Sequence, residues 1–336
     1  MKKITIKDIA NEAGVSISTV SFVINDKGEK MGISAAVIKK VKDIAEKLYY
    51  RPSMIASSLR TGKTRSIGLI VEDISNHFFS QLARVIENEA GKLGYRVFYC
   101  SIGNDDNESD ELVQSLLQAN VDGFIITPTK LMEQSIDNLL KLNKPVVLID
   151  RYFANQNVSH VVMDNYEAAY SATQYLINSG YQNIALVNNS SGMIQMQLRE
   201  KGYTDVIKKN NLFNESNILY IDYPNEEENR VSEITKFLKK NPKIDAVLFL
   251  TNYLGLAGLH VVKNMGLQVP KDLAIVSFDD HYSFRLNTPT ITVVEQPLEE
   301  IAVQAVEILM GQMVDEKKGE VHKVMKKGKL VIRESV

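Results

Sequence analysis

The stretch Thr5–Asn25, TIKDIANEAGVSISTVSFVIN, predicts two short helices joined by a tight turn. Thr5 followed by Asp8 is typical of a capped helix start, and Gly14 can adopt the left-handed conformation that commonly ends a helix. Ser16 can cap a second helix directly after the turn, and a third amphipathic helix follows further along the chain. This pattern is typical of a helix-turn-helix, whose second helix enters the major groove of DNA.

Charge is distributed unevenly along the chain. Residues 1–65 contain 13 Lys and Arg against 6 Asp and Glu, a balance of +7, whereas the remainder contains 26 basic and 35 acidic residues, a balance of −9. A basic segment favours a polyanionic partner, although a solvated basic face on a generic three-helix bundle would show the same balance. The turn, the charge and the N-terminal position together favour DNA binding.

Composition and motifs exclude several classes of protein. The chain has 336 residues, enough for two domains, and its single cysteine, Cys100, excludes an intramolecular disulfide framework and a multi-cysteine zinc site. We find no membrane-spanning apolar run and no signal peptide, and we expect a cytoplasmic protein without a membrane partner. The histidines are scattered, and neither a nucleophile elbow nor a glycine-rich dinucleotide motif follows a strand. We therefore expect no metal, no cofactor and no enzymatic activity.

From Ser66 onward, short β-branched runs alternate with amphipathic helices in two successive series. Such alternation predicts parallel sheets with helices on both faces. The predicted fold class is α/β, with two doubly wound lobes that follow the N-terminal helices in the sequence. Ligands of such lobes bind at the carboxyl ends of the strands.

The N-terminal stretch resembles the signature of the lac repressor/galactose repressor family of bacterial regulators. The matched residues are Ile9, Ala10, Ala13, Gly14, Val15, Ser16, Thr19, Val20, Ser21, Asn25, Tyr50, Pro52, Ala56 and Leu59. The resemblance covers nearly the whole chain. It implies a helix-turn-helix domain at 1–51, a hinge at 52–65 and a periplasmic-binding-protein-like effector and dimerisation domain at 66–336. It further implies a first lobe of about 66–163 plus 292–320 and a second of about 164–290 plus 321–336.

By this resemblance, Ile17, Ser18 and Phe22 fall where family members read bases. Phenylalanine cannot form the bidentate bond that arginine makes to guanine, but its ring can contact a thymine methyl group. The other head residues expected at the DNA are Thr5, Ser16, Thr19, Ser21, Asn25 and Tyr50.

The resemblance also assigns roles in the hinge. Leu59 matches an apolar wedge that enters the minor groove, with Arg60 beside it on the backbone and Ala56 within the same matched pattern. An ordinary linker is the alternative.

Polar and aromatic residues near the predicted strand ends suit a polyhydroxylated ligand, because hydroxyls need donors and acceptors while sugar C–H faces stack on rings. By resemblance, the positions that match ligand contacts are Phe78, Phe79, Arg199, Tyr223, Asn252 and Asp279, and those where some members make contacts are Glu72, Thr127, Asp150 and Gln296. Each residue also has a simpler interpretation. The rings can be core, the aspartates can cap helices or form turns, and Arg199 can lie on a helix surface.

The sequence thus predicts a homodimeric transcription regulator, acting as a repressor, that binds a pseudo-palindromic operator in double-stranded DNA. A small-molecule effector, a neutral sugar or sugar derivative, would bind between the lobes and change the operator affinity. A cytoplasmic sugar-binding protein without DNA function and an enzyme on the same α/β fold are the alternatives.

Overall fold

The computed structural model describes residues 4–50, 62–102, 106–223, 225–314 and 320–336. The chain divides into two units, Met1–Thr64 and Arg65–Val336. The predicted hinge residues Ala56, Leu59 and Arg60 lie outside the described residues.

The described part of the first unit contains three helices: α1 (Ile6–Ala13), α2 (Ile17–Ile24) and α3 (Ala35–Lys47). The Asp8 carboxylate accepts the Thr5 backbone N–H at 2.8 Å, so the start of α1 is capped as predicted. Gly14 ends α1 at φ 70°, and the Ser16 hydroxyl accepts the Thr19 N–H at 3.0 Å to begin α2. The buried faces of all three helices meet in one small core, made of Ile9, Ala10, Ala13, Val20, Val23, Val41 and Ala45.

The second unit contains two lobes, and each lobe is built around one six-stranded sheet. The strands are β1 (Ser66–Val71), β2 (Arg96–Ser101), β3 (Gly123–Ile126), β4 (Val146–Ile149), β5 (Ser159–Met163), β6 (Ile184–Asn189), β7 (Ile218–Ile221), β8 (Ala246–Phe249), β9 (Ala274–Phe278), β10 (Thr292–Glu295), β11 (Lys323–Lys326) and β12 (Lys329–Val331). The first lobe has the order β11-β5-β4-β3-β1-β2, and the second has the order β12-β10-β9-β8-β6-β7. All described pairings are parallel except that of β12 with β10.

Helices cover the faces of both sheets. They are α4 (His77–Lys92), α5 (Asp106–Gln118), α6 (Glu133–Lys141), α7 (Asn165–Asn178), α8 (Ile194–Lys209), α9 (Glu227–Lys240), α10 (Asn252–Met265), α11 (Tyr282–Leu286) and α12 (Leu298–Gln312), with a 3₁₀ turn at Glu215–Asn217. The central strands are buried on both sides, as near-continuous apolar strands of parallel sheets require. The predicted fold class is confirmed. No helix in the described ranges is long and apolar enough to cross a membrane.

Two predicted crossings between the lobes are wrong in position. Thr292–Val294 of β10 pair with β9, so β10 belongs to the second lobe and the chain crosses after Glu295 rather than near 290. Lys323–Lys326 pair with β5 in the first lobe, so the last crossing follows Lys326 rather than 321. A short β-branched run fits either sheet equally well, because strand periodicity does not identify the pairing partner. Backbone pairing decides the assignment.

Candidate functional site

The cleft between the two lobes collects most of the predicted effector residues. Nine of the ten line one cavity: Glu72, Phe78, Phe79, Asp150, Arg199, Tyr223, Asn252, Asp279 and Gln296. The carboxyl ends of parallel strands of both sheets face this cleft, as expected for doubly wound folds. Thr127 is the exception, since it is fully buried behind β3 and does not line the cavity.

A buried ion-pair cluster forms the first lobe's side of the cleft. Arg151 donates to Glu72 at 2.7 Å through Nη2 and to Asp150 at 2.8 Å through Nε. Burial opposes the charge on Arg151, but the Glu72 and Asp150 carboxylates hold its pKa above the ordinary value of arginine. Arg151 therefore stays charged, and its two hydrogen bonds hold the carboxylate oxygens in fixed positions where they can accept from a ligand's hydroxyl groups.

Arg199, on α8, provides the second lobe's buried positive charge at 2% exposure. Its guanidinium donates to the Asn165 side-chain oxygen at 2.8 Å and to the Leu250 carbonyl at 2.6 Å, and it lies 4.3 Å from the centre of the Phe278 ring. Burial lowers the pKa of Arg199, although the charges of Asp279 and Asp150 oppose that shift. These contacts fix the orientation of the guanidinium in the site, and the surface-helix interpretation is wrong.

Asp279 follows β9 and completes the polar lining. Its carboxylate accepts the Gln296 amide at 2.6 Å, so the second crossing segment is tied directly to the site. Burial raises the pKa of Asp279, while Arg199 and the Gln296 hydrogen bond counteract that rise.

Two site aspartates have strained backbones. Asp150 has φ 66° and Asp279 has φ 65°, both in the left-handed region, and each directly follows a buried strand. Such a conformation costs on the order of 1 kcal/mol or more for a residue other than glycine, and it recurs at binding sites because it directs a side chain into the site.

The lobes also contact each other across the cleft. The Tyr223 hydroxyl donates to Glu72, and the Asn252 amide donates to Asn76 at 3.1 Å. The cavity beside these contacts is about 60 Å³, well below the roughly 300 Å³ of an ordinary small-molecule site. A larger open groove of about 740 Å³ shares Phe78, Asn252, Asp279 and Gln296 with it. The arrangement is closed, so a sugar-sized ligand requires the lobes to separate.

Eight lining residues lie outside the ten positions matched by resemblance: Asn76, Arg151, Asn189, Ser191, Gln195, Met196, Thr251 and Tyr253. The sequence indicates two of these, Arg151 and Thr251, because both follow the end of a predicted strand. Gln195 stands one helical turn before Arg199 on α8, so the spacing of a helix face could have identified it. Its Oε1 atom is buried without a hydrogen-bond partner in the described part of the chain.

The predicted DNA-reading residues lie on the open face of α2. Ser16, Ile17 and Ser18 are exposed, with Ile17 at 45%, and Phe22 is half-buried. Thr5 is exposed at the start of α1 and Asn25 is exposed at the end of α2, where its amide donates to the Ser21 carbonyl at 2.6 Å. Thr19 and Ser21 are half-buried on α2, and Tyr50 packs against the head core.

The chain matches two family models: "Bacterial regulatory proteins, lacI family" over residues 5–53, and "Periplasmic binding proteins and sugar binding domain of LacI family" over residues 64–327. It is 31% identical to a ribose operon repressor of Halalkalibacterium halodurans, over 98% of this chain and 96% of that protein. It is 32% identical to catabolite control protein A of Priestia megaterium, over 92% of each.

Solved structures agree in fold. A lac repressor dimer bound to operator and the anti-inducer ONPF has a TM-score of 0.88, at 22% identity and 99% coverage of both chains. A transcriptional regulator CelR–cellobiose complex has a TM-score of 0.74, at 25% identity, covering 99% of this chain and 100% of the other. The predicted DNA-binding regulator is confirmed by the family matches, and family members are regulators rather than enzymes. The chain therefore belongs to the lacI family of bacterial regulatory proteins.

Proposed function

We propose that the protein is a cytoplasmic, homodimeric repressor whose operator affinity is set by a neutral sugar or sugar derivative bound between its lobes. The observation that carries this proposal is the closed cleft, where strand-end side chains from both lobes converge on one buried polar cavity. A ligand that binds one lobe arrangement better than the other shifts the equilibrium between them.

Charge in the cavity favours a neutral effector. The buried carboxylates of Glu72 and Asp150 and the half-buried carboxylate of Asp279 face two buried guanidiniums, Arg151 and Arg199. An added anionic group would bring a further charge into a site that already has an excess of acid, and burying such a charge without a partner is costly. Hydroxyl groups can instead accept from the guanidiniums and donate to the carboxylates. Two phenylalanines, Phe78 and Phe79, offer apolar surface to a sugar face.

The relatives indicate which compounds to test first as effectors, but they do not identify the effector of this protein. One relative at 31% identity is a ribose operon repressor, and a structural neighbour at 23% identity is described with bound ribose. Others at 29% identity are PurR repressors, so family membership alone leaves sugars and purines open. The acidic balance and hydroxyl-matching side chains support D-ribose and related neutral sugars as the first compounds to test.

The head supports the operator half of the proposal. Ile17 and Ser18 project from the first turn of α2, where a recognition helix contacts base edges. Phe22, one turn further on, suits a thymine methyl group rather than guanine. A dimer would present two such helices to the two halves of a pseudo-palindrome. Leu59, Ala56 and Arg60 would contact the minor groove at its centre.

The test is sequencing of genomic fragments retained by the purified protein, without added ligand and with a neutral-sugar pool. We expect a pseudo-palindromic motif whose enrichment changes with the pool. Calorimetry with D-ribose, a hexose, a purine base and a sugar phosphate then identifies the effector class. Retention of no specific motif in either condition would overturn the operator proposal, and binding of the purine or the phosphate alone would overturn the neutral-sugar proposal.

A further inference from the structure

Two histidines from opposite lobes meet at the edge of the cleft. His77 is the first residue of α4 in the first lobe, and His281 precedes α11 in the second. Their ring centres lie 5.0 Å apart in an edge-to-face arrangement, and the Tyr282 ring lies 6.0 Å from His77 and 4.6 Å from His281. Both imidazoles line the two open grooves on either side of the contact. Separation of the lobes must break this contact.

The hydrogen bond of His281 requires an Nδ1 atom without a proton. His281 accepts the Ser283 backbone N–H at its Nδ1 atom, at 3.2 Å. The His77 Nε2 atom lies 2.7 Å from the side-chain nitrogen of Gln81. A protonated imidazole carries N–H at both nitrogens and can accept at neither. Protonation of His281 would therefore set its Nδ1–H against the Ser283 N–H and remove the bond that begins α11.

Charged groups of both signs surround the two rings, and one groove that both rings line also contains Glu295, Glu299, Glu300, Lys326, Lys327 and Lys329. Asp280 is adjacent in sequence, but its carboxylate is held by Arg285 at 2.7 Å and by Arg333 at 2.6 Å. Glu295 on β10 lies 4.0 Å from Arg285. Asp73 and Arg230 line the groove on the far side, where they contribute one charge of each sign. Burial lowers the pKa of His281, as does His77, while Asp280 raises it.

We propose that the His77–His281 contact is a proton-sensitive latch between the lobes, which stays closed while the His281 imidazole is neutral and is released when it is protonated. This goes beyond the proposed effector response, because the latch acts in the absence of effector. It would couple the lobe equilibrium of this regulator to intracellular acidification.

The direction in which pH changes the ratio of closed to open protein follows from proton linkage. In the closed arrangement His281 binds protons less readily than a solvated histidine, whose pKa is about 6.5. The closed arrangement is therefore fully favoured above about pH 6.5 and loses its advantage as pH falls below that value. For one proton, the ratio of closed to open protein decreases by up to about tenfold at pH 5.5.

The test measures lobe separation in the full-length, effector-free protein by small-angle X-ray scattering between pH 7.5 and 5.5. We expect the wild type to expand reversibly on acidification. His281→Asn keeps an acceptor for the Ser283 N–H but cannot titrate, and we expect it to stay compact over this range. His260→Asn is the matched control, since His260 is an exposed histidine on α10 that faces Glu227 and not the cleft. It should expand like the wild type.

If His281→Asn does not fold, His281→Asp tests the latch instead. His281→Asp also provides a helix cap but has no imidazole to protonate, so acidification should not release the lobes in this variant. A wild type that does not expand, or an expansion shared by His281→Asn or His281→Asp, would overturn the latch. Neither result depends on the effector being a sugar, so the latch and the proposed function fail separately.

Discussion

The amide oxygen of Gln195 is the clearest unused acceptor in the cleft. The residue is 5% exposed, and Oε1 has no partner among the described residues. An unsatisfied buried polar group costs about 1–3 kcal/mol, and a ligand hydroxyl would remove that cost. We predict that Gln195→Leu maintains or raises the thermal stability of the effector-free protein and weakens effector binding about tenfold, the effect of about one hydrogen bond.

The matched control is Gln197→Leu on the same helix. Gln197 is exposed and donates to the Gly192 carbonyl at 2.8 Å, outside the cavity. Effector affinity, measured by calorimetry, should be unchanged in this variant. Equal affinities for Gln195→Leu and the wild type would remove Gln195 from the effector contacts, and a lower melting temperature would show that its amide is satisfied in the free protein.

The sequence predicted which single residues lie at the cleft where those residues directly follow a strand. Asp150 and Asp279 follow apolar runs, so the parallel-sheet rule places them at the cleft. Thr127 also follows a strand, but its side chain is fully buried behind β3. Strand position fixes which edge a residue occupies and not where its side chain points. The inward orientation of Arg199 depends on its bonds to Asn165 and Leu250, which only tertiary structure reveals.

Among the elements, α2 combines a folding role and a proposed DNA role in one residue. The Ser16 hydroxyl accepts the Thr19 N–H and begins the helix. Ser16→Ala should lower the free energy of unfolding of the head by about 1 kcal/mol. Ser16→Asp should preserve the cap and the stability, but its charge would repel phosphate and reduce operator affinity at least tenfold.

Ser16→Asn distinguishes the effect of losing the helix cap from the effect of adding a negative charge, because asparagine caps a helix without adding a charge. Its stability should match the wild type, and its operator affinity should exceed that of Ser16→Asp. Thermal unfolding and fluorescence anisotropy with the selected operator measure the two properties. If Ser16→Asp binds operator as tightly as Ser16→Asn, then Ser16 does not approach the DNA backbone.

Short sequence patterns predicted the helices and strands better than they predicted which strands pair with each other. The capping pattern at Thr5, the left-handed Gly14 and the cap at Ser16 are all observed, since each depends on a few adjacent residues. The assignments of β10 and β11 were wrong because each short strand is placed by pairing with a strand distant in sequence. Long-range pairing is not encoded in the periodicity of a four-residue run.

For the whole molecule, the separation of charge predicts two different responses to salt. The basic balance lies in residues 1–65 and the acidic balance in the remainder. Operator binding that neutralises several phosphates releases counterions, and six to ten such contacts reduce affinity by about 10³–10⁵ between 50 and 200 mM salt. A neutral effector releases no counterions, so its affinity should change less than about threefold over the same range.

Both affinities can be measured on one preparation, by anisotropy for the selected operator and by calorimetry for the effector. Arg199→Ala provides the control: we expect it to keep the steep salt dependence of operator binding while losing the effector signal, because Arg199 lies in the cleft. An effector affinity that falls steeply with salt would show that the ligand is anionic. The excess of carboxylates from Glu72, Asp150 and Asp279 would then have to be offset by groups outside the cavity. A shallow dependence for the operator would mean that the +7 segment makes few phosphate contacts.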